Sequence, residues 1–114
     1  MLESVISKQI RVAIARTRRA LVMRNYVGKV VPWGRKDAYP VDAGLGEGSP
    51  DLVGVMIPSG RAFCLEVKTI TGRVSKEQTQ CHAAWRRRGV FVAVVRSVDE
   101  ALAALDRAER GGSE

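Results

Sequence analysis

GSPDLVGVMIPSGRAFCLEVKT, residues Gly48 to Thr69, decides the fold. Asp51–Ile57 (DLVGVMI) and Ala62–Thr69 (AFCLEVKT) are short apolar runs, and Pro58-Ser59-Gly60-Arg61 between them is turn chemistry. Together they read as a β-hairpin. A loop over Pro58–Arg61 pairs Ile57 with Ala62, sets Val53 opposite Glu66 and sets Asp51 opposite Lys68. Directly opposed residues share a sheet face, so Asp51, Glu66 and Lys68 project together, and a one-residue slip would send Asp51 to the other side. Glu66 and Lys68 are then about 7 Å apart along their strand. Charges in the middle of an apolar sheet need something to pair with.

Upstream of the hairpin, Leu2 to Ala20 reads as a helix whose inward stripe is Ile6, Ile10, Ala13, Ile14 and Thr17. Glu3 lies on the side of that stripe, whereas Lys8, Arg11, Ala15 and Arg18 form a separate basic row. Leu21–Asn25 is a short strand. Tyr26 to Gly48 is rich in Pro and Gly and reads as a loop-rich connection, with short strands at Lys29–Val31 and Tyr39–Asp42. Downstream, Ser75 opens a helix that Gly89 closes, Val90–Arg96 is a strand apolar enough to be buried on both faces, and Val98–Glu109 is a last helix. A hairpin, a crossover helix and a buried strand imply an α/β fold: a mixed central β-sheet flanked by helices. Its 114 residues suit one domain over 1–110 with a polar tail at 111–114.

The chain is 46% hydrophobic, with no apolar run long enough to span a membrane and no signal-peptide core at its start, so the expected location is the cytoplasm. Cys64 and Cys81 form no CxxC pair, are expected to lie far apart, and stand with a single histidine, His82, which argues against a zinc site. Trp85 and Cys81 are expected on the inner face of their helix, and His82 is given no catalytic role. The net charge of +7, from 19 basic and 12 acidic residues, points to a polyanionic partner, nucleic acid first. Gly44-x-Gly46-x-Gly48 lacks the Lys-Thr or Lys-Ser of a phosphate loop and precedes a strand, so these glycines are read as allowing close approach of the chain.

Two carboxylates and one ammonium on an apolar sheet form a chemical site. The carboxylates repel each other, and a divalent cation relieves that repulsion while leaving room for phosphate oxygens. The plainer alternative is a structural ion pair from Asp51 or Glu66 to Lys68.

Pro50-Asp51 followed by Glu66-Val67-Lys68 resembles the PD-(D/E)XK nuclease core, which is restriction-endonuclease-like. Arg24-Asn25, Gly48-Ser-Pro-Asp51, Leu65-Glu-Val-Lys-Thr69, Gly72-Arg-Val-Ser75, Gln78 and the VFVAVVRS strand with its following Val-Asp-Glu-Ala resemble the VRR-NUC branch, over roughly Glu3 to Leu105. That resemblance implies a stand-alone, metal-dependent DNA endonuclease from a bacterium or a phage-infected host. It acts on branched DNA such as four-way (Holliday) junctions, as a homodimer, with Mg²⁺ or Mn²⁺. It further implies that Asp51, Glu66 and the backbone carbonyl of Val67 bind metal, that Glu3 is the first-helix acid that completes the metal site, that Lys68 is the catalytic lysine, and that Gln78 is the site's glutamine on the helix after the core.

Several of these residues suit plain structural uses as well. Gln78 follows Ser75 by three, which is also a capping box, and Glu3 could answer a helix dipole. Arg24, Asn25, Lys8, Arg11, Arg18, Arg73 and Lys76 are further candidates for contact with nucleic acid; Lys8, Arg11 and Arg18 also suit a solvated face, and Arg24 and Asn25 also suit the close of a strand. Two rival functions come from different classes: a non-catalytic nucleic-acid-binding protein on the same fold, and a sequence-reading restriction-type nuclease. The resemblance is weakest over residues 32–45, to which it assigns no functional residue.

Overall fold

The computed structural model describes residues 1–31 and 40–114. Its elements are α1 (Glu3–Thr17), β1 (Ala20–Arg24), β2 (Gly28–Val30), β3 (Val41–Ala43), β4 (Leu52–Met56), β5 (Ala62–Val67), α2 (Lys76–Arg86), β6 (Phe91–Val95) and α3 (Val98–Glu109). The main sheet runs β1-β4-β5-β6, antiparallel except for the parallel β5–β6 pair, so it is mixed as expected. β2 and β3 form a separate antiparallel pair. Tyr39, the expected start of the second short strand, lies outside the described residues.

Alternation along β5 sorts the layers. Phe63, Leu65 and Val67 face a core built with Ile6, Ile10 and Ile14 of α1 and Ala101, Ala104, Leu105 and Ala108 of α3. Cys64, Glu66 and Lys68 take the opposite face, which α2 covers, and all three are buried. β6 is buried on both faces, since Val92 and Ala93 are both inaccessible.

Helix ends follow local chemistry. Ser97 caps α3 by accepting from the Glu100 N–H, while the Glu100 carboxylate accepts from the Arg96 N–H. Ser75 and Gln78 form a complete capping box at the start of α2. α1 stops earlier than the sequence pattern implied, because Arg18 adopts a left-handed conformation and Ala20 already belongs to β1. The residues after α3 are not a free tail: Ser113 O accepts from Val92 N on the outer edge of β6, and Arg61 donates to the carbonyls of Ala108 and Gly112. That contact occupies part of an otherwise open strand edge.

The hairpin register differs by two residues from the expected one. Leu52 pairs with Leu65 and Val55 with Ala62, and the Met56 N–H donates to the Arg61 carbonyl. The loop is therefore Ile57–Gly60. Gly60 has φ of +74°, the conformation that closes a four-residue loop, so Arg61 belongs to the strand side. Continued by one step, this register sets Asp51 opposite Glu66 instead of Lys68. A shift of two keeps every side chain on its expected face.

Candidate active site

Asp51 sits just before β4, held by Asn25 at the end of β1. The Asn25 N–H donates to the Asp51 carbonyl at 2.7 Å. Its side-chain amide donates to Pro50 O and Ser49 Oγ, both at 2.8 Å, and its carbonyl oxygen accepts from Leu45 N at 3.0 Å. Ser49 in turn donates to Gly46 O at 2.6 Å. Asn25 thus spends its polar atoms on the Leu45–Asp51 loop, and acts on the site through Asp51. Gly48, with φ of +83°, brings this loop against α2; a Cβ there would lie 2.9 Å from Glu77 O.

The Asp51 carboxylate replaces a strand acceptor. Its Oδ2 accepts from Val67 N at 2.8 Å, where β4 would otherwise have offered a carbonyl. A residue's N–H and C=O leave a strand on the same edge, so the Val67 carbonyl also leaves toward Asp51. Burial pushes the Asp51 carboxyl up to about 7, and hydrogen bonding to Glu66 and its charge push the same way, against the Val67 N–H and the Lys68 charge. Glu66 is raised too, chiefly by burial. The two carboxyls face each other and share a proton more readily than isolated acids would.

Glu66 is gripped from α2. Its Oε1 lies 3.1 Å from His82 Nε2, and its Oε2 accepts from Gln78 Nε2 at 3.4 Å. Side-chain exposure is 3% for His82 and 1% for Glu66. Burial, then the nearby Arg86 charge, lowers the His82 pKa, so the ring is neutral at pH 7 and pairs with Glu66 through Nε2. His82, expected to have no catalytic role, is the most buried residue of α2, whereas Cys81 and Trp85 are only half-buried. Gln78 completes the expected capping box, its Oε1 accepting from Ser75 N, while its amide reaches Glu66. Cys64 and Cys81 are both free but not remote: burial, then the neighbouring Cys81, pushes the Cys64 thiol up to about 12.

Lys68 is 9% exposed and forms no ion pair among the described residues, so the plain Asp51–Lys68 or Glu66–Lys68 bridge is absent there. Its charge acts on both carboxylates through space. Glu3 meets Asp51 across a cavity of about 130 Å³ whose other walls are Ser4, Ser7, Arg11, Arg24 and Val67. Glu3 sits on a row with Ser7 and Arg11, beside the isoleucine stripe and not on it. Lys8, Arg18, Arg73 and Lys76 are exposed and do not line this cavity. Arg24 lines it with its guanidinium 5.5 Å from the Tyr26 ring centroid.

The VRR-NUC domain profile matches residues 3–99. The chain belongs to the VRR-NUC family. A solved structure described as a VRR-NUC domain is similar over 91% of this chain and 94% of its own, with a TM-score of 0.61 and 23% identity, which supports the shared fold. No curated protein matches the chain. VRR-NUC domains are nucleases, a class that acts on DNA and generally uses divalent metal ions. No helix among the described residues is long and apolar enough to cross a membrane.

The residues of this candidate site fit a hard divalent cation, since the groups that could hold one are all oxygens: Asp51, Glu66, the Val67 carbonyl and Glu3 across the cavity. A buried carboxyl and a half-buried one held together are stabilised by positive charge between them. Among the described residues no three acidic, His or Cys side chains converge into a ready-made cage. Mg²⁺ tolerates that, because it retains several waters and takes one or two carboxylates.

Proposed function

We propose that this chain is a metal-dependent DNA endonuclease, selective for branched DNA such as a four-way junction, working with Mg²⁺ or Mn²⁺ as a homodimer. The observation that carries it is the pairing of half-buried Asp51 with buried Glu66 at the end of a hairpin, with Lys68 beside them and no ion pair spending that lysine's charge among the described residues. A protein that only bound DNA would gain nothing from acids placed against phosphate.

Asp51, Glu66, the Val67 carbonyl and Glu3 would hold the cation. When bound, it supplies Lewis acidity toward the phosphate and a water of lowered pKa. The protein's own groups do the positioning. Asn25 and the Val67 N–H fix Asp51, while His82 and Gln78 fix Glu66. Lys68 stabilises negative charge gathering on the phosphate oxygens or orients the attacking water. Exposed Lys8, Arg18, Arg73 and Lys76 add salt-sensitive attraction to the DNA backbone with little base readout.

Selectivity for branches rests on the family resemblance and on size. A single 114-residue chain is small for a junction, and a two-fold dimer sets two sites at a fixed spacing. Exposed Leu21, Met23 and Val55 on neighbouring strands offer an apolar surface for a second copy. The test is cleavage of a labelled four-way junction and a matched linear duplex in Mg²⁺, Mn²⁺ or chelator. Metal-dependent cutting that favours the junction is expected. Binding without cutting in any metal would leave a DNA-binding protein on a nuclease fold.

A further inference from the structure

Ser7 and Arg11 carry unused polarity next to the carboxylate pair. Ser7 is only 7% exposed, yet its Oγ has no hydrogen-bond partner among the described residues, and neither does the buried Nε of Arg11. Buried polar atoms are nearly always satisfied, so two unsatisfied ones on residues that line one cavity point to a partner, a water or a ligand group, that the described residues do not supply. Both residues line the cavity of about 130 Å³, together with Arg24. They sit one helical turn apart on α1, which aims them the same way.

The chemistry of the walls selects the ligand. A guanidinium only donates, and a serine hydroxyl can donate. Two guanidiniums and a hydroxyl therefore call for a compact group with several anionic acceptors. None of the lining residues is aromatic, so a base has no ring to stack on there. Glu3 and Asp51 also line the cavity and repel an anion. Neither makes an ion pair with Arg11 or Arg24 among the described residues, so both guanidiniums remain available.

We propose that Ser7, Arg11 and Arg24 form a phosphate subsite that holds one internal backbone phosphate of the DNA strand, flanking the bond to be cut. The subsite rests on the nuclease reading, and it adds a named strand-positioning contact to that reading. Arg11 and Arg24 bind the non-bridging oxygens and Ser7 donates its hydroxyl to one of them. The bond presented to the carboxylates is then set by its distance along the strand from the gripped phosphate.

The test is equilibrium binding of the full chain, in chelator, to labelled junctions in which single phosphates are replaced by neutral methylphosphonates. Wild-type protein is expected to lose affinity on the order of tenfold at one internal position near the cut. Arg11→Gln should show the same loss with unmodified DNA and no further loss at that position. It should also lower the salt dependence of binding by about one ion. Ser7→Ala is expected to weaken binding with the salt dependence unchanged, and Arg11→Lys, which keeps the charge, should bind better than Arg11→Gln. Equal losses for wild type and Arg11→Gln at every position would overturn the proposal, as would an effect confined to a terminal phosphate. Cleavage without that coupling removes the subsite alone. Coupling in a protein that never cuts removes the nuclease reading and keeps the subsite.

Discussion

His82 Nε2 lies 3.1 Å from Glu66 Oε1, and both side chains are almost wholly buried. A neutral imidazole thus fixes one oxygen of a carboxylate proposed to hold metal, from a helix on the other side of the layer. Histidine and carboxylate partners of this sort orient metal ligands, and losing one typically weakens metal binding by about 10–100-fold. His82→Leu is therefore expected to raise the Mn²⁺ concentration needed for half-maximal binding by that order. It should also cost about 1–3 kcal/mol of stability by leaving Glu66 short of a donor. His82→Gln, which can still donate, should recover most of the metal affinity. Calorimetric Mn²⁺ titration and thermal unfolding check this, and equal metal affinity in wild type and His82→Leu would show that the contact does not position Glu66.

The carboxyl pair predicts an unusual pH dependence. The folded state raises Asp51 from 3.8 to about 7, so it binds more protons than the unfolded chain between those values. Stability from this group is greatest in acid and falls as pH rises from about 4 to about 7. The loss should be on the order of 1–3 kcal/mol, less than the full shift implies because Asp51 is partly exposed. In chelator, melting temperature at pH 8 should rise on substituting Asp51→Asn. Wild type alone should gain stability from added Mg²⁺ at that pH. Identical melting profiles for the two proteins from pH 5 to pH 8 would refute the strained pair.

Asn25 is expected to behave as a brace for Asp51. Its side chain makes three hydrogen bonds to the Leu45–Asp51 loop. Asn25→Ala should cost roughly 2–3 kcal/mol at about 1 kcal/mol per bond, and should lower cleavage by loosening Asp51. The salt dependence of DNA binding should stay unchanged, because no phosphate contact is lost. A shift of about one ion in that dependence would instead mark Asn25 as a contact to DNA. Urea unfolding and salt-titrated binding separate the two.

Much of this architecture could be read from the chain because local and global signals agree. The α3 bounds, Val98–Glu109, follow from the Ser97 cap and an unbroken apolar period. Ser75 and Gln78 announced a capping box, and α2 begins there. The hairpin was legible but its register was not: Gly60, required in the left-handed region, places the loop at Ile57–Gly60. Reading that glycine as the last loop residue would have set Asp51 opposite Glu66. Contacts between layers were harder. Nothing local says that α2 lies over Glu66, so His82 looked solitary, although it follows Gln78 by four and shares its row. Cys81 and Trp85 looked like the inner face because apolar residues usually are; here the helix covers charged groups and turns a histidine inward. Ser7 was hidden in the same way, one position from an isoleucine stripe.

Lys68 gives the most direct test of the central claim, that Asp51 and Glu66 gather metal while Lys68 serves the phosphate. Single-turnover cleavage of a four-way junction would be followed for wild type, Asp51→Asn and Lys68→Ala, with Mn²⁺ binding measured on each folded protein. Lys68→Ala should keep wild-type metal affinity and lose about 10²–10³-fold in cleavage rate, as expected for removing one charge-stabilising group. Asp51→Asn should lose both. A Lys68→Ala protein that cuts at the wild-type rate would contradict the account.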